Sequence, residues 1–274
     1  MGIVSTTKPI PTSHNGLFTT NRGELEYPSL WDGLELAYFP HNDGGGAILK
    51  GYGDLATNAT IVGTPATHYS WIDSEIGKMW QPDGANGYAN TNNTSFVNKI
   101  DNDFSHMMWT QSGSALTNSD RWWGMEDAGG PRLYALVKGA GSTAVRFQIV
   151  AFDDLEYGEK WYTTDDNVDT GTHPMAFICS MDWSAESGNI SAFGAKQPIT
   201  SGAAAGSAGD PIGAVAESNE PIFIGARNVA GTPTKFTRGS VGFSTIAWWS
   251  RQLSQEEHRI LGNDPFVLCR RVED

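Results

Sequence analysis

The chain has 274 residues, enough for one large all-β domain or two smaller domains with a sizeable core. Only 18% of the residues are charged, while Gly numbers 32 and Trp 10, which argues against a helical bundle and for many short strands and loops. Lys plus Arg is 18 against 31 for Asp plus Glu, and the resulting net charge of −13 sets aside nucleic acid and anionic membranes as partners.

Residues 1–30 form no periodic element. Pro9, Pro11, Gly16, Gly23 and Pro28 interrupt them, with Ser, Thr and Asn between, so they read as an extended N-terminal arm. If ordered, such an arm lies against its own domain or a neighbouring subunit. The opening "MGIVST" fits the myristoylation pattern at Gly2. Without a second membrane signal it reads as a chance match. No apolar run has signal-peptide length or approaches a membrane span, so neither export by the usual route nor a membrane partner is expected.

From residue 31 the pattern changes, and residues 31–274 read as one domain. "LWDGLELAYFPH" alternates and carries aromatics, as a strand does. A Gly-rich turn and a short strand follow in "NDGGGAILKGYGDLATNATIVG". "IGKMWQPDGANGYANT" reads as a strand, a turn at Pro82-Asp83-Gly84, and a second strand start. "SHMMWTQSG", "RWWGMEDAG", "RLYALVKG" and "AVRFQIVAF" continue the rhythm, as do "PMAFICSMDW", "NISAFGAK", "EPIFIGAR" and "GSVGFSTIAWW". The acidic stretch from Asp182 to Gly188 suits a hairpin turn. The small-residue segment 199–218 reads as a surface loop. Two cysteines, Cys179 and Cys269, exclude a disulfide framework. One bridge or two buried thiols remain, and the apolar setting of Cys179 favours thiols.

The chain closes differently. Ser254 followed by Glu257 forms a capping box, so a helix is expected over 254–262. Leu253, Ile260 and Leu261 give it a narrow apolar side. Gly262 and Asn263 suit a stop, and Pro265 forbids continuation. His258, among charged neighbours, reads as a surface residue. Short strands at regular spacing with one short C-terminal helix indicate an all-β, antiparallel β-sandwich or jelly roll.

The order of these phrases resembles the laminin-G-like, concanavalin A-like jelly roll, in the variant often encoded by phages, prophages and environmental bacteria. "PSLWDGLELAYFPHNDGGG" stands where that family opens, and "YSWIDSEIGKMWQPDGANGYANT" and "CSMDWSAESGNISAFGAKQPI" follow in its order. The closing phrase is the most specific: Arg251, Leu253, Ser254, Glu256, Glu257, Asp264, Pro265 and Phe266 stand at the family's spacing. The resemblance covers residues 28–271 and is weakest over 95–165. It implies that Ser254, Glu257, Asp264 and Pro265 are a structural motif, holding a small helix across the sandwich.

Candidate chemistry is sparse. Retaining glycosidases need two carboxylates about 5 Å apart. The nearest stretch, "DDLEYGEK", offers Asp153, Asp154, Glu156 and Glu159 in the wrong order and spacing, and reads as a solvated acidic loop. No hydrolase, zinc or phosphate-loop motif occurs, so a cofactor is not expected and the chain reads as non-enzymatic. Calcium could sit among Asp165, Asp166 and Asp169 in "YTTDDNVDTG", although polar turns between strands are the simpler reading of the cluster. Neighbouring residues in a strand point to opposite faces. One of Trp122 and Trp123, and one of Trp248 and Trp249, is therefore expected outward, for glycan stacking or an interface.

Fold alone does not name a function. The resemblance, the missing catalytic set, the N-terminal arm and the lack of an export signal imply a virion structural protein: capsid decoration, fibre or tail component. It would assemble in the host cytoplasm onto other virion proteins as a homo-oligomer. The alternative is a carbohydrate-binding, lectin-like module for surface glycan, with an extracellular location. A glycoside hydrolase ranks third.

Overall fold

The computed structural model describes residues 19–43, 45–96, 103–112, 120–126, 132–139, 144–152, 159–164, 168–169, 173–182, 185, 187–203, 220–234 and 241–272. Two antiparallel sheets stack face to face. The first runs, in spatial order, Ala195–Gln197, Ser187–Ala192, Met175–Asp182, Asp103–Ser112, Val241–Trp249, Leu34–Tyr38 and Gly51–Tyr52. The hairpin Tyr69–Ser74 with Gly77–Pro82 joins it through Phe243 opposite Trp80. The second runs Ile199–Ala203, Glu159–Thr164, Ala144–Phe152, Arg132–Gly139, Asp120–Glu126, Phe223–Ile224, Tyr88–Asn90, Ala59–Val62 and Ile48–Leu49, and Val168–Asp169 pairs with Ala144–Phe152. The expected all-β sandwich is what the chain builds. The expected hairpin at 182–188 forms, with Asp182 opposite Ser187. The segment expected as a loop over 199–218 instead starts with strand Ile199–Ala203, an edge of the second sheet; residues 204–219 lie outside the described set.

The alternation of the two central strands explains the layering. Met108, Ile246 and Trp248 point between the sheets, into a core with Trp80, Trp122, Trp123, Phe147 and Phe177. Met107, Trp109, Ala247 and Trp249 point the other way, into a second apolar cluster with Leu25, Leu30, Trp31, Leu261, Phe266 and Leu268. The first sheet is thus covered on both faces, which is why Val241–Trp249 is buried at every position.

The second cover comes from both chain ends. Leu25 bridges to Arg271, Thr19 N–H donates to Cys269 C=O (2.8 Å), and Glu26 N–H to Arg270 C=O (3.0 Å). Residues 19–30 of the expected arm therefore pack on the domain; residues 1–18 lie outside the described set. Three indoles tie this cover down. Trp249 Nε1 donates to Leu30 C=O (2.7 Å), Trp31 Nε1 to Leu268 C=O (2.6 Å) and Trp109 Nε1 to Leu261 C=O (3.0 Å). Burying an indole N–H is cheaper with such a partner, which Trp80, Trp122 and Trp248 in the inter-sheet core lack among the described residues.

The terminal helix is Gln255–Asn263 with Ser254 as its N-cap, and both halves of the capping box are present. Glu257 also pairs with Arg251 (2.6 Å). Asp264 ends the helix in extended backbone, accepts a bond from Phe266 N–H (2.9 Å) and pairs with Arg270. Pro265 C=O accepts from Thr245 Oγ1 (2.9 Å), pinning the tail to the sheet. The helix ends at Asn263, where Gly262 and Asn263 suggested a stop, and Gly262 also serves packing. A Cβ there would sit 2.1 Å from Gly194 N, so glycine is required by close backbone approach.

Candidate functional site

The four tryptophans singled out above are not a surface. Trp122, Trp123, Trp248 and Trp249 are each fully buried, which corrects the expectation that one of each pair faces outward. Two different causes operate. Trp249 does leave the inter-sheet core, but the chain's own ends cover it. Trp122 and Trp123 both enter the inter-sheet core. Opposite them, Ala135 pairs with Trp123 while Leu136 pairs with Arg121, so Trp122 has no cross-strand partner. That extra residue is a β-bulge, and a bulge breaks the strict alternation that the expectation assumed. Gly225 N–H uses the freed Trp122 carbonyl (2.7 Å).

Asp165 and Asp166 lie outside the described residues, and only the backbone of Asp169 is described, in the short strand beside Ala144–Phe152. Among the described residues no three His, Cys, Asp or Glu side chains gather as metal ligands. Of the acidic stretch, 153–158 lie outside the described set. Cys179 and Cys269 are both free and buried, and burial pushes the Cys269 thiol up to about 12.

One Ser–His arrangement does form, where the sequence suggested a surface histidine. His258 is fully buried beneath its helix. Its Nε2 lies 2.8 Å from Ser180 Oγ and its Nδ1 2.8 Å from Ser191 Oγ. Ser105 Oγ donates to Arg251 C=O (2.7 Å) and lies 2.7 Å from Ser180 Oγ. The donors then fall in one order. Ser105 has used its hydrogen, so Ser180 donates to Ser105, His258 Nε2–H donates to Ser180, and Ser191 donates to Nδ1. The chain runs on a neutral imidazole, and burial holds its pKa down at about 4. His106 is similar: Trp123 Nε1 donates to its Nε2 (2.8 Å), leaving Nδ1–H for Ala247 C=O (3.2 Å), and burial lowers it to about 3. No solvent reaches either histidine, so these networks cement layers and are not reaction centres.

A partly accessible row of side chains lies on the outer side of the second sheet. Across four strands and into a fifth, Ile48 pairs with Thr60, Thr60 with Asn90, Asn90 with Phe223 and Phe223 with Gly124. Their neighbours Leu49, Ala59, Ile61, Ala89, Ile224 and Trp123 fill the core, so this row points away from it. Ile48 and Thr60 are exposed, Tyr88 and Asn90 half-buried, and Phe223 and Gly124 buried. Tyr88 and Phe223 stand diagonally across adjacent strands with ring centroids 4.6 Å apart at 35°. Burial raises the Tyr88 phenol, keeping it a neutral hydroxyl.

The preceding turn sets Tyr88 in place. Asp83 Oδ1 accepts from the N–H groups of Ala85, Asn86 and Gly87 (3.0, 2.8 and 2.7 Å). Burial alone would raise its carboxyl, yet these bonds hold it below the usual range. A Cβ on Gly87 would lie 1.9 Å from His68 C=O, so only glycine lets the strand enter here. Beyond the strand, Asn90 Oδ1 accepts from Asn92 N–H (2.8 Å). Asn92, exposed and at φ 55°, donates its amide to Asn58 C=O (3.1 Å) and Thr60 Oγ1 (3.0 Å). Sequence reading missed this face because Tyr88 and Phe223 are far apart along the chain. The signal available was the charge-free, amide-rich phrase "YANTNNT".

The sequence matches no protein-family model and no curated protein sequence. Solved structures do resemble it. The binding domain of botulinum neurotoxin serotype C1 superposes with a TM-score of 0.55 at 10% identity, over 85% of this chain and 52% of that one. The binding domain of botulinum neurotoxin DC in complex with SialylT gives 0.54 at 9% identity, over 85% and 52%. Trypanosoma rangeli sialidase carrying 2,3-difluorosialic acid gives 0.50 at 12%, over 86% and 34%. The fold is a jelly-roll β-sandwich. At these identities the likeness shows the fold alone, and the chain spans about half of the toxin binding domains and about a third of the sialidase.

Proposed function

We propose that this chain is a non-catalytic glycan-binding module, of the laminin-G-like type its closing motif resembles, and that it binds through the Tyr88–Phe223 face. The observation that carries the reading is the half-buried Tyr88, backed by the buried ring of Phe223 on the outer side of the second sheet and rimmed by Asn90, Asn92 and Thr60. Sugar rings present apolar C–H faces and hydroxyl edges, and aromatic rings flanked by amides and hydroxyls match both. Similarity to a neurotoxin binding domain in complex with SialylT, and to a sialidase, lends the reading support as fold-level analogy. A virion role, with other virion proteins or a homo-oligomer as partners, finds no support in these comparisons.

An immobilised-glycan array tests the proposal. Labelled protein is expected to bind a subset of glycans saturably, and Tyr88→Ala to abolish the signal while the melting curve persists. Absence of saturable binding across the array would remove the reading. Release of free sugar from a bound glycan would overturn its non-catalytic part.

A further inference from the structure

We propose that Asn86–Gly87 is a latent modification site, an Asn-Gly pair able to convert itself through a cyclic imide, and that the Asp83 carboxylate holds it shut. This inference stands apart from the glycan-binding reading.

The chemistry is local. Gly87 has no Cβ to hinder its backbone nitrogen. An amide nitrogen attacks only after losing its proton, here to hydroxide. Its lone pair then forms a bond to Asn86 Cγ and closes the imide ring. The Cγ–Nδ2 bond breaks and ammonia leaves with a proton from water, which restores the hydroxide. Water then opens the ring: at the side-chain carbonyl to give aspartate, or at the backbone carbonyl to give isoaspartate, whose chain runs through the β-carbon. Asn86 is exposed, so both reactants reach it. The other Asn-Gly pair in the sequence, Asn15–Gly16, lies outside the described residues.

The fold blocks the first step in three ways. Gly87 N–H donates to Asp83 Oδ1 at 2.7 Å. Deprotonating it would lose a charge-assisted bond and set an amide anion against a carboxylate. That carboxylate stays ionised at neutral pH: burial alone would raise it, but the N–H bonds it accepts hold it below the usual range. The same group also holds Asn86, whose N–H donates to Oδ1 (2.8 Å) and whose Nδ2 lies 3.4 Å from Oδ2. One carboxylate thus anchors the attacking nitrogen and the leaving group apart. Finally, Gly87 has no room to swing. A Cβ there would lie 1.9 Å from His68 C=O, and that carbonyl is itself fixed by Asp83 N–H (2.8 Å). Conversion would have a structural consequence. Isoaspartate would lengthen the backbone by one carbon and add a negative charge next to Gly87, whose close fit admits the strand Tyr88–Asn90.

Peptide mapping by mass spectrometry tests this on the full chain in mildly alkaline buffer, following amide-to-acid conversion at Asn86 with time. The chain unfolded in guanidinium chloride should convert roughly tenfold or more faster than the native chain. Asp83→Ala, shown to be folded by near-UV circular dichroism, should also convert roughly tenfold or more faster than native wild type, because the bond to a charged acceptor is lost. Asp83→Asn, which keeps an acceptor oxygen without the charge, should fall between. Adding Asn86→Gln to Asp83→Ala should remove the conversion, since the larger ring closes far more slowly. Native wild type converting as fast as the unfolded chain would overturn the inference. A folded Asp83→Ala that keeps its amide as long as wild type would overturn it as well. If Asp83→Ala does not fold, Asp83→Asn carries the same comparison, and if neither folds, native against unfolded wild type decides.

Discussion

His258→Gln should flatten the acid sensitivity of the fold. His258 titrates near 6.5 in the unfolded chain and at about 4 when buried against Ser180 and Ser191, with Glu257 and Lys196 its nearest charges. A folded-state pKa below the unfolded one means the unfolded chain takes up protons first. The contribution is therefore fully present above pH 6.5 and is lost as pH falls toward 4. The whole difference is worth roughly 3 kcal/mol, of which about 2 kcal/mol is expressed between pH 7 and pH 5. The main cause is burial, which disfavours the charged ring, and the donor order acts the same way: a second ring proton would face Ser191, whose hydroxyl already donates inward. Urea denaturation followed by tryptophan fluorescence at pH 7, 6 and 5 measures it. Wild type should lose about 2 kcal/mol more than His258→Gln over that interval, whatever the variant costs at pH 7. His106, also depressed, adds to the slope of both proteins. Asp43, raised to about 6 by burial, opposes it in both by favouring the fold as pH falls through 6. The difference between the curves removes these shared terms. Parallel curves would refute the assignment of a neutral, hydrogen-bonded His258.

Four further outcomes follow from the packing. Gly262→Ala should gain about 1 kcal/mol of helix propensity but lose more, about 1–3 kcal/mol net, because its Cβ would collide with Gly194 backbone; a raised Tm would contradict this. Ser254→Ala should cost about 1 kcal/mol by removing the cap from Glu257 N–H, seen as a lower urea midpoint at constant slope. Trp249→Phe should cost about 1–3 kcal/mol because Leu30 C=O loses its buried donor, and limited proteolysis should then cut sooner within residues 19–31. Both thiols should resist Ellman's reagent in the native protein and react after unfolding, with reductant leaving Tm unchanged.

Local rules reached far along this chain. The hairpin at 182–187 and the capped helix were legible because turn chemistry and capping boxes act over a few residues. Layering was less so. Nothing local to "STIAWW" says that the outward side of Trp249 will be roofed by residues 19–31 and 265–269, and that roof turned an expected recognition residue into core. The bulge at Trp122 depends on the partner strand, as does the register that brings Asn90 beside Phe223. His258 misled for a related reason: its charged neighbours argued for solvent, whereas serines from three different strands make the interior hospitable to it. Gly262 looked like punctuation and is a contact as well. In each case the deciding partner is distant in sequence.

The roof on the first sheet also orients the molecule. Leu25 and Arg271 are bridged there, so the two ends of the described fold, residues 19 and 272, lie on the same side. The Tyr88 face belongs to the opposite sheet. A strain applied at residues 19 and 272 would thus be borne by the tail cover and the sheet beneath it before it reached Tyr88.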